Sequence, residues 1–298
     1  MLRIGTRRSP LALAQADEVA RLLASRGVRS ELVPMTTSGD QGASPVVSPF
    51  GVKGLFVDEI VRALRDGEID LAVHSAKDLP AEDPPGVVVA AVPERADPRD
   101  VLVTRDGALH DGAVVGTSSL RRRAQVLAWR PGVTVREVRG NVGTRLRTVE
   151  SREVDAVVLA AAGLRRLDLW PRGAELLGVD VMVPAPGQGT LAVQARADDR
   201  ATRAAVDPLE HVPTRAAFEA ERDLVRRLGG GCALPIGALA EADGGLVRLT
   251  AVVANPDGTA VIRVTAEAAE PSGAADVAAR DLLNGGAAAI LDALGQEA

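Results

Sequence analysis

The stretch Val114-Val-Gly-Thr-Ser-Ser-Leu-Arg-Arg-Arg123 contains the end of a predicted strand, a polar turn and the start of a predicted helix. Hydroxyl side chains at such a turn can cap the helix. The free backbone N–H groups and the helix dipole at this position favour an anion, and the guanidiniums of Arg121 and Arg122 add donors that match carboxylates. The stretch predicts an α/β fold with an anion site at a strand end. An ordinary capped helix with surface arginines is the alternative.

The same strand–turn–helix order recurs elsewhere in the chain. Predicted strands at 2–5, 69–74 and 133–138 are followed by Thr6-Arg-Arg-Ser9-Pro10, Ser75-Ala-Lys-Asp78 and Arg139-Gly-Asn-Val-Gly-Thr-Arg145. Ligands of α/β sheets bind outside the carboxyl ends of strands, so we expect these turns to line one cleft. An Asp beside a Lys at a strand end can serve as acid or base. Asp78 is therefore a candidate catalytic residue, and a surface ion pair with Lys77 is the alternative.

Alternating strands and helices predict mostly parallel sheets covered by helices. Pro/Gly-rich crossings near 93–100 and 181–189 divide this region into two lobes that resemble a hinged clamp around a cleft. The predicted domains are a first α/β lobe of residues 1–93 plus 190–208, a second α/β lobe of residues 94–189, and a small C-terminal α+β domain of residues 209–298.

Two further segments have distinct compositions. Residues 36–52 are rich in Ser, Thr, Gly and Pro without any period, which predicts a mobile loop or lid. The C-terminal domain is predicted to contain a helix from Pro213 to about Leu228, three strands, and one final helix over roughly 273–294.

Cys232, the single cysteine, lies in Gly229-Gly-Gly-Cys-Ala-Leu-Pro-Ile-Gly237. Glycine-rich backbone can approach a ligand closely, and a thiolate is a strong nucleophile when it is exposed in positive surroundings. Several separated arginine clusters could supply those surroundings. The pattern suggests a covalent attachment point that serves a polyanionic ligand, although the position of the cysteine alone favours the alternative, a buried or incidental residue.

Composition excludes several classes of protein. The chain of 298 residues is 46% hydrophobic and 25% charged, as expected of a globular protein with two or three domains. One cysteine permits no internal disulfide and fits a reducing compartment, and no apolar run suits a signal peptide or a membrane span. A net charge of −5 and 2% aromatic residues argue against nucleic-acid binding. Three histidines without ligand spacing predict no metal site. We therefore expect a cytoplasmic protein and, without a long apolar stripe, a monomer.

Taken together, these motifs, with Gly54-Leu-Phe56 and Pro186-Gly-Gln-Gly189, resemble the porphobilinogen deaminase family over nearly the whole chain and in the right order. The resemblance implies two periplasmic-binding-protein-like lobes and a third domain that carries the cysteine. It implies a transferase that condenses four porphobilinogen molecules head to tail, with loss of ammonia, onto a dipyrromethane cofactor bound to Cys232 by a thioether, and then releases hydroxymethylbilane by hydrolysis.

Residue roles follow from the same resemblance. Asp78 would stabilise the cationic intermediate and take part in proton transfer. The implied cofactor-binding residues are Cys232, Lys77, Ser75, Thr117, Ser119, Arg121, Arg122, Arg145 and Gln188. The implied substrate-binding residues are Arg7, Ser9, Arg139, Arg145, Arg166 and Phe56, although Phe56 suits a core position nearly as well. The sequence departs from the family at Gly51-Val-Lys53, where a paired glycine is expected before the lysine, and at Arg123, which extends the usual arginine pair.

Two other functions are compatible with parts of the pattern. A non-enzymatic two-lobe protein that binds anions or other solutes would also have hinged lobes and anion-binding helix starts, but it explains neither Cys232 nor the third domain. A regulatory effector module would need a DNA-reading segment, and the sequence contains none.

Overall fold

The computed structural model describes residues 1–36, 54–105, 107–229 and 234–295. Cys232 and nearly all of the predicted loop at 36–52 lie outside these ranges, and so does the side chain of Phe56. In chain order the strands are β1 (Leu2–Arg7), β2 (Ser30–Met35), β3 (Leu71–Ser75), β4 (Val87–Ala91), β5 (Asp100–Thr104), β6 (Val114–Gly116), β7 (Thr134–Arg136), β8 (Ala156–Ala160), β9 (Ala174–Leu176), β10 (Leu191–Arg196), β11 (Ile236–Asp243), β12 (Leu246–Ala254) and β13 (Val261–Ala268).

The helices are α1 (Pro10–Ala24), α2 (Gly54–Arg65), α3 (Leu120–Trp129), α4 (Val142–Glu150), α5 (Ala161–Arg166), α6 (Arg200–Val206), α7 (Val212–Arg227), α8 (Pro271–Asn284) and α9 (Ala287–Gly295). Local sequence fixes where the first helix of each lobe begins. The Ser9 hydroxyl caps α1 by accepting from the Ala12 N–H at 3.3 Å, and the Ser119 hydroxyl caps α3 by accepting from the Arg122 N–H at 3.4 Å. Each bond satisfies a donor that the helix itself leaves without a partner.

Three sheets organise the described chain. Their strand orders are β2-β1-β3-β10-β4, β7-β6-β8-β5-β9 and β11-β12-β13. The predicted class, two α/β lobes plus a small C-terminal α+β domain, is confirmed. The expectation of mostly parallel sheets is only half right, because β10 runs antiparallel to β3 and β4, and β5 runs antiparallel to β8 and β9. Each of these strands enters its sheet directly from a crossing, so its direction is set by the crossing and not by a β-α-β unit.

The antiparallel strands bring the crossings to the edge where the predicted sites lie. Asp100, the first residue of β5, pairs with Ala160 at the carboxyl end of β8. Leu191, the first residue of β10, pairs with Ser75 at the carboxyl end of β3. Both crossings therefore lie beside the carboxyl ends of the parallel strands, the usual location of ligands in α/β sheets.

The third domain packs α7 and α8 against one face of its antiparallel sheet around the buried side chains of Leu224, Leu249 and Leu282. The single final helix predicted over 273–294 is wrong, because α8 ends at Asn284 and α9 begins at Ala287. Gly286 between them has a φ of +98°, a conformation that glycine adopts at little cost. Within the described ranges, no helix combines the length and apolar character needed to cross a membrane.

Candidate functional site

Asp100 is the buried centre of a polar cluster that it forms with Arg121, Arg122 and Gln188, and we call this cluster the cleft floor. Its side chain is fully buried, and it accepts from Arg121 Nη1 at 2.7 Å, from Arg122 Nε at 3.0 Å and from Gln188 Nε2 at 3.0 Å. Burial alone raises the pKa of Asp100, but the charges of the two arginines outweigh that effect and hold the pKa well below its usual range. The carboxylate therefore stays ionised and fixes both guanidiniums at the start of α3.

Gln188 links the two lobes above this centre. Its Oε1 lies 3.5 Å from Lys77 Nζ of the first lobe and 3.5 Å from Arg122 Nη2 of the second lobe, and its Nε2 donates to the Pro98 carbonyl at 2.7 Å. The neighbouring Gly187 has a φ of +73°, and a Cβ there would lie 2.8 Å from the backbone nitrogen of Lys77. Glycine is therefore required for the close approach of this crossing to the turn that contains Lys77.

The turn after β3 presents the predicted catalytic group. Residues Ala76–Asp78 form a 3-10 turn in which Lys77 and Asp78 are partly exposed. The Ser75 hydroxyl accepts from Gln15 Nε2 of α1 at 2.7 Å. Burial lowers the pKa of the preceding His74 to about 4, and the Asp78 charge only partly opposes that shift. The turn thus places the side chains of Lys77 and Asp78 at the edge of the first sheet, next to the second crossing.

Positive charge accumulates at the edge of the second sheet. Thr117 is buried, and its Oγ1 accepts from the Ser119 N–H at 3.2 Å. Arg145 of α4 reaches the Ser118 hydroxyl with Nη2 at 3.4 Å, while its buried Nε has no acceptor in the described chain. Burial, and then the nearby Arg122 charge, lower the pKa of Arg145. Among the described residues Arg145 forms no ion pair. The guanidiniums of Arg122 and Arg145 therefore lie near each other at this edge, and only that of Arg122 is paired with a carboxylate.

Three other predicted arginines occupy different surroundings. Arg139 lies on the surface, 83% exposed, and its Nε donates to Glu137 Oε1 at 2.6 Å. Arg7 is partly buried at the end of β1, close to Ser9. Arg166, at the end of α5, is largely buried and donates to Glu18 of α1. The structure therefore brings Arg121, Arg122, Arg145, Gln188 and Lys77 together, and places Arg139 and Arg166 outside that group.

The third domain is joined to both crossings by Glu221 of α7. This carboxylate is fully buried and accepts from Arg95 at 2.6 and 3.2 Å, from the Gly187 N–H at 2.5 Å and from the Ala240 N–H at 2.7 Å. Arg95 and Gly187 belong to different crossings, and Ala240 belongs to β11. Since α7 leads into the segment that contains Cys232, the buried carboxylate joins that domain to the cleft floor.

Three acidic residues of this arrangement were not predicted from sequence: Asp100, Glu18 and Glu221. Their basic partners were visible as arginines, but no spacing indicates which carboxylate folds against which guanidinium. Among the described residues, no cluster of three or more His, Cys, Asp or Glu side chains could hold a metal ion. The arrangement can bind a ligand with several carboxylates and present Lys77 and Asp78 to it.

Two family models match this chain. The model described as "Porphobilinogen deaminase, dipyromethane cofactor binding domain" matches residues 2–204, and the model described as "Porphobilinogen deaminase, C-terminal domain" matches residues 216–283. The porphobilinogen deaminase of Syntrophotalea carbinolica is 48% identical over 267 residues, which are 88% of this chain and 85% of that protein. The porphobilinogen deaminase of Oceanobacillus iheyensis is 43% identical over 301 residues, covering 99% of this chain and 97% of that protein.

Among solved structures, a periplasmic substrate-binding protein of an ABC transporter from Coxiella burnetii is 17% identical, with a TM-score of 0.44. The match covers 74% of this chain and 97% of that protein.

Proposed function

Since this chain belongs to the porphobilinogen deaminase family, we infer that it is the enzyme that condenses four porphobilinogen molecules head to tail and releases hydroxymethylbilane by hydrolysis. The observation that carries this function is the match of both family models, which together span the lobes and the third domain. A solute-binding function is not favoured, because nothing in it requires the third domain or its cysteine.

The described residues fit a cofactor that bears several carboxylates. The buried Nε of Arg145 has no acceptor in the described chain, and burial, followed by the nearby Arg122 charge, lowers the pKa of Arg145. Uncompensated buried donors are costly until an acceptor arrives, so this edge suits an anionic group. We propose that the dipyrromethane cofactor is joined to Cys232 by a thioether and is held by Lys77, Ser75, Thr117, Ser119, Arg121, Arg122, Arg145 and Gln188. When bound, the cofactor supplies the free pyrrole end to which the first substrate molecule is added.

The arginines at this edge have two different roles in the proposal. Arg121 and Arg122 both pair with Asp100, so we propose that they act mainly as a fixed positive field, with Gln188 held between them and Lys77. Arg145 keeps donors available for direct contact. Each added pyrrole brings an acetate and a propionate, and guanidinium groups are the side chains that match carboxylates in two-point contacts. We propose Arg7, Ser9, Arg139, Arg145, Arg166 and Phe56 as the substrate-binding residues.

We propose Asp78 as the catalytic residue. Loss of ammonia from the aminomethyl carbon of porphobilinogen leaves a cationic, electron-poor carbon, and the new carbon–carbon bond forms there. A carboxylate that accepts from the pyrrole N–H stabilises that cation, and it can take part in moving the proton that the attacking ring must lose. The position of the partly exposed Asp78 on this turn, beside Lys77 and the crossing, supports this role.

The setting of the enzyme follows from the same chemistry. We propose that it works in the cytoplasm, because a single cysteine acting as a nucleophile must stay reduced. We propose a monomer, because the sequence contains no long apolar stripe that would suit a subunit interface. A net charge of −5 provides no general attraction for nucleic acid.

The first test is the intact mass of the denatured protein, measured beside Cys232→Ser. An excess equal to two linked pyrroles, absent from the variant, would support the attachment. A bare polypeptide mass that gains no adduct after incubation with porphobilinogen would contradict it. For Asp78, we expect Asp78→Asn to keep its melting temperature and lose nearly all turnover, while Glu82→Gln on the same loop stays active. Near-normal hydroxymethylbilane formation by Asp78→Asn would remove Asp78 from the mechanism.

A further inference from the structure

An ion pair joins the two lobes beside the second crossing. Glu18 lies on α1 of the first lobe, and Arg166 lies at the end of α5 of the second lobe. Arg166 Nε donates to Glu18 Oε2 at 2.8 Å, and Arg166 Nη2 lies 3.4 Å from Glu18 Oε1. The Arg166 side chain is 8% exposed and the Glu18 side chain 30%. This partial burial distinguishes the pair from a solvated surface contact, which would fix little.

The donors of Arg166 are only partly used. Nε and Nη2 face Glu18, and Nη2 also donates to the Gly189 carbonyl of the second crossing at 3.2 Å. Within the described part of the chain, Nη1 has no hydrogen-bond acceptor. A guanidinium carries five N–H donors in a rigid plane. Once Glu18 and Gly189 fix one edge of that plane, the direction of Nη1 is fixed as well.

We propose that Glu18 is a positioning residue for substrate binding: together with the Gly189 carbonyl it orients Arg166 so that Nη1 receives a substrate carboxylate. The inference rests on the proposed function, because that function is what brings a carboxylate-rich chain into the cleft. Without Glu18, the long Arg166 side chain would have to be ordered when the ligand binds, and this ordering costs rotamer entropy. The same contact makes binding at Arg166 depend on both lobes and on the second crossing.

Glu18→Gln tests the proposal, and Asp17→Asn is its matched control. Asp17 precedes Glu18 on the same helix and pairs with Arg21 at 3.0 Å, but that pair is largely exposed. We expect Glu18→Gln to raise the KM for porphobilinogen by roughly three- to tenfold with kcat changed less than about twofold. Asp17→Asn should leave both constants unchanged. A KM that stays the same, or that falls because Glu18 competes with the substrate for Arg166, would overturn the proposal.

A double-mutant comparison separates positioning from a purely structural role. If Glu18 acts through Arg166, adding Glu18→Gln to Arg166→Gln should change KM by less than about twofold. Independent, multiplying effects would refute the assignment. Glu18→Asp, which keeps the charge, provides a second variant in case Glu18→Gln folds poorly, and it should have an intermediate KM; a KM as high as that of Glu18→Gln would contradict the charge-based role. If the unaltered chain forms no hydroxymethylbilane, the proposed function itself fails. If it does, and Glu18→Gln matches Asp17→Asn, only the role of Glu18 fails.

Discussion

Removing the charge of Glu221 should loosen the third domain from both crossings. The substitution Glu221→Gln leaves Arg95, whose side chain is 11% exposed, without a counterion. It also replaces one carboxylate oxygen with an NH2, so that one of the two backbone donors that the carboxylate now satisfies, Gly187 N–H or Ala240 N–H, faces another donor. Breaking a buried ion pair by neutralising one partner costs about 3–5 kcal/mol. At about 2–4 °C for each kcal/mol in proteins of roughly this size, the melting temperature should fall by roughly 6–20 °C.

Thermal denaturation followed by circular dichroism measures this loss, and limited proteolysis shows whether the third domain is released first. Glu267→Gln is the control, because Glu267 and Arg248 form an exposed pair in the same domain, where about 1 kcal/mol or less is at stake. If Glu221→Gln melts within about 2 °C of Glu267→Gln, which would correspond to about 1 kcal/mol or less, Glu221 does not hold the domain in the way described.

Three further predictions concern other sites. Burial holds His74 neutral, with a pKa of about 4 against 6.5 for the unperturbed residue. Because the unfolded chain takes up the proton first, the protein should lose up to about 3 kcal/mol of stability as the pH falls from 6.5 to 4. His74→Gln should flatten this pH dependence of the free energy of unfolding, and an unchanged pH dependence would exclude His74 as its source. Gly187→Ala should lower turnover and melting temperature more than Gly67→Ala, because both residues have positive φ but no atom lies within 4 Å of a Cβ at Gly67; equal losses in both assays would show that the close approach is unimportant. Arg139→Leu should leave the free energy of unfolding within about 0.5 kcal/mol while slowing hydroxymethylbilane formation, and a lower melting temperature with normal turnover would make the exposed Arg139 structural.

Local signals predicted most of the elements. Ser9 and Ser119 mark helix starts because a capping hydroxyl acts within three residues of the donor it satisfies. The direction of β10 has no such signal, because the residues of a strand do not indicate whether its neighbours run parallel or antiparallel to it. The break at Gly285-Gly286 was readable from the glycine pair, but the apolar pattern continues on both sides and suggests one helix.

The basic residues of the candidate site could be predicted from the sequence, whereas its acidic residues could not. Arg121 and Arg122 follow a strand and open a helix, so their location at a sheet edge follows from sequence. Asp100 lies 21 residues before Arg121 in the chain, and its role depends on how β5 enters the second sheet. Glu18 is 148 residues from Arg166. Contacts between residues so far apart in the chain form only when the lobes are assembled, so local sequence patterns do not predict them.

The entry of both crossings at the carboxyl edge has a mechanical consequence. For a rotation of one lobe relative to the other about these two segments, the displacement of an atom grows with its distance from the rotation axis. Asp100 and Gln188 lie on the crossings themselves and would move least, whereas groups further from the crossings would move more. Such a rotation would keep Asp100 and Gln188 at nearly constant geometry while the space between the lobes widens. One set of chemical groups could in this way serve each successive addition to a lengthening chain.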